Sequence, residues 1–412
     1  MKKVTIIKHN LMRAAMTLLV MLPWAANAQT RECNPITTYP WTENFDSYTG
    51  TTSGSTNNLP ECWNYINTCT HNSYKGYPVV FGANYTSGHS GHNFLYFESY
   101  YQYDPKPQYA ILPKMSGLAG KHITLWAMGN LANNSTCTFK IGTMSDPADA
   151  STFGAFAEQE LSDYSLGLGW QEYAFTVPTG TTNTYLAILM EPAPSSNQNN
   201  KWISIDDIAV FGDFSQTGDN EYTIFTAAGW GLFCDAIAGG ESFNGKTVKL
   251  GADITITRMA GSNDKPFSGT FEGQGHTLTL NYGSADNPID AEFVAPFVYT
   301  TWSTSPIFRN LTIAGHIYST YTCNNPDPHH PVHTGTGGLI GHLQSTVTIE
   351  HCMSNVEITV TGEQYAGGFV GLCERTVSFN DCVSSAVIHS AGGNNSGFIG
   401  WSRDSGFNIS FA

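Results

Sequence analysis

A short phrase returns at a fixed period near the end of this 412-residue chain. Gly337-Gly338-Leu339-Ile340-Gly341 comes back as Gly367-Gly368-Phe369-Val370-Gly371, and one period later as Ser396-Gly397-Phe398-Ile399-Gly400. A second phrase keeps step. The segment Ile349 to Ile358 returns as Phe379 to Ile388, with a looser earlier copy from Phe308 to Ile317. Short β-rich units at a fixed period with Gly turns are the mark of a solenoid, because so short a unit cannot bury its apolar face without stacked neighbours. About thirty residues, read as three strands and three turns, predict one coil of a right-handed parallel β-helix. Within each adjacent apolar pair, such as Leu339-Ile340, one side chain is expected in the core and the other more exposed. Cys352 and Cys382 share a repeat position, so stacking places them about 4.8 Å apart. That is short for a disulfide, and a buried ladder of free thiols is expected. Cys62 and Cys69 are candidates for a bridge across a short loop. With nine Cys at least one thiol stays unpaired.

The N-terminus reads as a secretion signal over residues 1–28. Lys2, Lys3, Lys8 and Arg13 form a basic leader, Ala14 to Trp24 is apolar, and Ala26-Asn27-Ala28 is a small-x-small cleavage site before Gln29. The apolar run is too short for a membrane span, and no other segment is long enough. The mature chain is therefore expected outside the cytoplasm, extracellular or on the cell surface. Its length suggests two domains. Aromatics at 13% exclude a disordered chain. A net charge of −15 argues against nucleic acid, whose readers carry basic patches, and is compatible with bound calcium.

Residues 29–214 carry eight alternating or β-branched stretches: Tyr77 to Phe81, Asn93 to Glu98, Gln108 to Leu112, His122 to Ala127, Thr136 to Ile141, Gln171 to Val177, Thr184 to Met190 and Lys201 to Phe211. Separated by Gly, Pro, Asn and Ser clusters, they predict an antiparallel β-sandwich. The polar, turn-rich stretch 215–220 is read as a linker. From 221 to 412 the repeat domain follows, and Phe225 to Ala238 is the best helix candidate, ended by Gly239-Gly240. A helix there suits the cap that an open solenoid end requires. Residues 324–333, with three His and one Asp, interrupt the repeat and read as a solvated loop. Ile409-Ser410-Phe411 reads as the start of a further coil, so an incomplete repeat domain is expected.

The first domain resembles the gingipain-type cleaved adhesin domains, related to MAM-like jelly rolls. Glu43-Asn44-Phe45-Asp46, Leu59-Pro60-Glu61-Cys62-Trp63, His92-Asn93-Phe94-Leu95-Tyr96-Phe97 and Trp202-Ile203-Ser204-Ile205-Asp206-Asp207 carry the resemblance. It implies a jelly-roll sandwich and an adhesive role. It further implies a structural calcium ion where acidic residues of the first and last strands meet, here Glu43, Asp46, Asp206 and Asp207. The second domain is similar to GLUG-type repeats, on its Gly-Gly-apolar-apolar-Gly phrases and on Phe267-Ser268-Gly269-Thr270-Phe271-Glu272-Gly273-Gln274-Gly275. That resemblance implies a surface role and no known reaction.

Tyr96, Tyr100, Tyr101 and Tyr103 surround a turn with Asp104 and Pro105, and exposed aromatics beside polar groups suit stacking on sugar rings. Hydrolases need two carboxylates at a set separation. Here only His351 and Asp381, aligned by the repeat, form a suggestive pair. The expectation is thus an all-β, exported binding protein for glycans or host and partner proteins, not an enzyme. The alternatives are a polysaccharide lyase or glycoside hydrolase on the β-helix, and an architectural stalk.

Overall fold

The computed structural model describes residues 33–82, 88–131, 137–161, 169–193, 200–322, 334–390, 394–403 and 408–412. The signal segment and the insertion 324–333 lie outside them. The described chain is all-β apart from one α-helix and a short 3-10 turn, and it divides into two compact units.

The first unit is a β-sandwich. One sheet runs Val79–Gly82, Asn93–Tyr100, Asn200–Phe211, His122–Leu131 and Gln171–Thr176, with Trp41–Glu43 paired to Asn200–Phe211. The other runs Asn64–Asn67, Gln108–Ile111, Tyr185–Met190, Cys137–Met144 and Gly154–Leu161, antiparallel throughout. Side chains alternate across each strand. Leu95, Phe97, Ile203 and Ile205 are fully buried. Phe139 of the second sheet meets Tyr173 and Phe175 of the first at ring distances of 6.3 and 6.0 Å, closing the core between them. All eight expected strands form. Of the three not foreseen, Gly154–Leu161 is a mostly exposed edge strand with no apolar alternation to read.

The second unit is a parallel β-helix. Its longest sheet stacks Glu221–Ile224, Thr247–Leu250, Thr270–Glu272, Ile307–Arg309, Val347–Glu350, Val377–Asn380 and Ile409–Phe411, all parallel. The repeat sets the register: Ile340 pairs Val370, which pairs Ile399, and Ile349 pairs Phe379. The glycines of the phrase are there for contact. A Cβ on Gly338 would stand 2.0 Å from the Gly368 carbonyl oxygen, and one on Gly368 would stand 2.0 Å from that of Gly397. Only glycine lets successive coils meet backbone to backbone at this corner. The helix Ala227–Ala238 is capped by the Thr226 hydroxyl, which accepts from the Gly229 amide at 3.0 Å. It buries Trp230, Phe233, Cys234 and Ile237, and Trp230 meets Phe271 and Phe297 edge-on.

Four expectations are corrected. Residues 215–220 are not a linker: Phe214–Gly218 is a strand, antiparallel to Glu221–Ile224. Phe214 packs on Tyr222 and Phe243, Ser215 is buried, and Gln216, Asp219 and Asn220 form the exposed side and tip of a hairpin that opens the second unit. The boundary accordingly falls at 209/210 rather than 214. Leu339, Ile340, Phe369 and Val370 are all buried. Each pair straddles a corner between strands of different sheets, so alternation does not apply across it. Cys62 bridges Cys33, not Cys69, whose buried thiol donates to the Tyr103 carbonyl at 3.3 Å. Cys352 and Cys382 are free thiols, as the repeat implied.

Candidate ligand-binding face

Residues that alternate with the core on the six-stranded sheet, together with rings from the segments beside it, form a connected run. Tyr96 lies 4.7 Å from Phe81 and 6.2 Å from Trp202. Phe81 meets Phe94 at 5.6 Å, and Phe94 meets Trp170 edge-on at 5.7 Å. His89 stacks flat on Trp126 at 3.6 Å and 10° and stands edge-on to Trp170. In the other direction Tyr96 leads through Tyr77 and Tyr74 to Tyr103 at steps of 5.8, 5.9 and 5.4 Å. Phe81, Tyr96, Trp126, Trp170 and Trp202 are only partly buried. A face of this kind, apolar with a few placed polar groups, is what a ligand surface requires.

Glu98 is the polar centre. Its carboxylate accepts the Tyr77 hydroxyl at 2.8 Å and the Asn200 amide at 3.0 Å. Burial first, and then the Glu98 charge, raise the hydroxyls of Tyr77 and Tyr96 and push that of Tyr74 up to about 12. Ser204 pairs with Tyr96 across the strands; it is 1% exposed, and its hydroxyl has no hydrogen-bond partner among the described residues.

Two carboxylates hold the loop that carries His89. Asp206, fully buried, accepts the His89 and Ser90 amides at 2.8 and 3.2 Å and that of Asp207 at 2.8 Å. Burial pushes its carboxyl up to about 7. Asp46 accepts the His92 and Asn93 amides at 2.8 and 3.1 Å. Gly91 between them has φ 65°, and a Cβ there would fall 1.8 Å from Asp46 Oδ2. Asp207 reaches His89 Nδ1 at 2.6 Å and so fixes the ring over Trp126.

These contacts decide the expected sites. Tyr96 and Tyr103 belong to the run. Tyr100 and Tyr101 flank its Tyr103 end, with Tyr100 5.0 Å from Tyr101 and 5.1 Å from Tyr103, and His71 stacks on Tyr103 at 4.2 Å. The residues expected to hold calcium have protein partners here. Asp46, Asp206 and Asp207 are turned to the loop, and Glu43 accepts the Phe45 amide and the Tyr48 hydroxyl. Among the described residues no three His, Cys, Asp or Glu side chains gather in a metal-binding group. Sequence reasoning missed Trp126, Trp170 and Trp202. Their signal was positional, since Trp126 and Trp202 each alternate with buried aliphatic neighbours on their strands. In the second unit, His351 and Asp381 do meet, at 3.4 Å, both well exposed and at φ 51° and 50° on a corner. His351 also lines a shallow cavity with Gln274, Asn310, Thr312 and Met353.

No protein-family model matches the chain, and no curated protein does. Among solved structures, two cleaved adhesin domains of Lys-gingipain from Porphyromonas gingivalis are similar. One is 18% identical, with 42% of this chain and 98% of that one covered and a TM-score of 0.31. The other is 17% identical, with 42% and 99% covered and a TM-score of 0.32. A xylan-binding domain from Paenibacillus barcinonensis is 12% identical, with 42% and 98% covered and a TM-score of 0.26. No helix among the described residues is long and apolar enough to cross a membrane.

Proposed function

We propose that this is an exported, non-catalytic binding protein whose sandwich unit holds glycans on its aromatic face. One observation carries the reading: a connected run of rings from Tyr103 to Trp126, linked through buried Tyr77 and Phe94, in which Phe81, Tyr96, Trp126, Trp170 and Trp202 are partly exposed and Glu98 lies among them. A sugar ring has apolar C–H faces that gain by leaving water against an aromatic plane, and hydroxyl edges that need partners. A ring that covers about 40 Å² of apolar surface contributes about 1 kcal/mol. Affinity per site is therefore weak, and display of several copies strengthens it. The β-helix serves to carry and space this face.

Binding of the full chain to glycan and host-protein arrays tests this. Retention on a glycan, lost in Trp202→Ala and in Trp126→Ala while the fold persists by circular dichroism, supports it. Retention on proteins alone installs the protein-adhesin reading, and binding to neither leaves the stalk. The exposed His351–Asp381 pair is the observation that favours the lyase or hydrolase reading. The expected outcome with polysaccharide panels is neither new reducing ends nor unsaturated sugars. Product that disappears in Asp381→Ala would overturn the non-enzyme assignment.

A further inference from the structure

The charged groups bonded into the aromatic run are predominantly carboxylates. Glu98 lies at its centre, held by Tyr77 and Asn200. Asp207 reaches it through His89. At the Tyr103 end, Asp104 accepts the amide and the hydroxyl of Thr70 and pairs with Lys106 at 2.8 Å. Lys106 is thereby compensated, and Lys75 nearby reaches only the Asn72 side chain. Lys106 and Thr70 hold the Asp104 carboxyl down to about 2, so it stays ionised. After burial, the Glu98 charge raises the hydroxyls of Tyr74, Tyr77 and Tyr96.

This charge pattern discriminates between ligands. Each carboxylate oxygen has two lone pairs, so Glu98 accepts further donors beside Tyr77 and Asn200. A sugar hydroxyl donating to it makes the stronger, charge-assisted kind of hydrogen bond. A uronate or sulfate ester on the rings around Glu98 and Asp207 would lose water beside two carboxylates, and the lysines Lys75 and Lys106 lie at the Tyr74–Tyr103 end of the run. Repulsion of the wrong ligand is a standard route to specificity.

We propose that the ligand of this face is an uncharged polysaccharide and that Glu98 and Asp207 exclude anionic glycans from it. The inference rests on the glycan-binding reading above. Affinity electrophoresis of the full chain tests it, in gels containing xylan, mannan, β-glucan or galactan against gels containing polygalacturonate, alginate or chondroitin sulfate. The expected result is retention by at least one uncharged polymer and retention at least about tenfold weaker by every anionic one, a difference of about 1.4 kcal/mol. Added salt narrows that gap, since screening weakens repulsion between exposed charges. Glu98→Gln and Asp207→Asn each raise retention on the anionic polymers relative to the uncharged ones. Anionic retention equal to or above the uncharged, abolished by Trp202→Ala, overturns the charge selection and leaves the glycan site standing. A gap that neither salt nor either variant changes also overturns it. Retention by neither class overturns the glycan reading and this proposal together.

Discussion

The two units share a taste for glycine and large aromatic residues, and they gather them differently. In the β-helix, Trp230, Phe271, Phe297 and Phe308 are buried, and glycine lines the corner where coils meet. In the sandwich, Trp126, Trp170 and Trp202 lie on the outer side of a sheet whose core is aliphatic and Phe-rich, and Gly91 gives a carboxylate room against a loop. Aromatic content alone thus says little about binding. Apolar surface left partly open in one contiguous patch is the informative feature. The β-helix needs its rings to fill coils too narrow for a larger core. The sandwich already closes its core with Leu95, Phe97, Ile203 and Ile205, which leaves the alternate positions for other use.

The largest effect that separates the units is expected from Phe369→Ala. Phe369 is fully buried against Phe379 and Phe398, and its loss costs about 3–5 kcal/mol. Hydrogen exchange on the full chain should speed in Val370–Cys373 and leave Asn93–Tyr100 unchanged. Equal loosening of both would break the separation of the two units.

Next is a pH effect confined to the sandwich. Burial raises the Asp206 carboxyl from 3.8 to about 7, so the neutral acid suits the fold. Its contribution is complete below about pH 4 and is lost as pH rises through 7, up to about 4 kcal/mol in all. Between pH 4 and 7.5 the sandwich strands should lose more stability in the native chain than in Asp206→Asn. Matching slopes in the two proteins would mean that the buried carboxylate is already ionised throughout that range.

A smaller loss, about 1–3 kcal/mol, is expected for Gly368→Ala, whose methyl meets the Gly397 carbonyl. Gly180→Ala in the sandwich, where nothing lies within 4 Å, provides the contrast and should be near neutral. The smallest effect concerns calcium. Melting curves of the full chain in calcium and in chelator should coincide. A shift abolished by Asp46→Ala would mean that the loop rearranges to build the site.

Much of the fold was legible because it is local. A period shows in the chain wherever stacked coils demand the same residue at the same place, as Ile349 and Phe379 do. The helix start at Thr226 and its end at Gly239 are likewise written within one turn of where they act. The linker was misread for the same reason: the polar letters of 215–220 show exposure, and a hairpin edge is exposed just as a linker is.

What the sequence by itself determined is therefore the secondary structure and the stacking, since hydrophobic period and glycine placement are constraints that neighbouring residues impose on the backbone. The tertiary structure alone decided which distant residues share a surface. Trp126, Trp170 and Trp202 sit on or beside three different strands, and they converge with Phe94 and Tyr96 only because the sheet orders those strands side by side. Long-range contacts likewise joined Cys33 to Cys62 and brought Asp46 and Asp206 to the amides of the His89 loop. Contacts between strands far apart in sequence depend on sheet order and register. Neither leaves a period or a spacing in the chain.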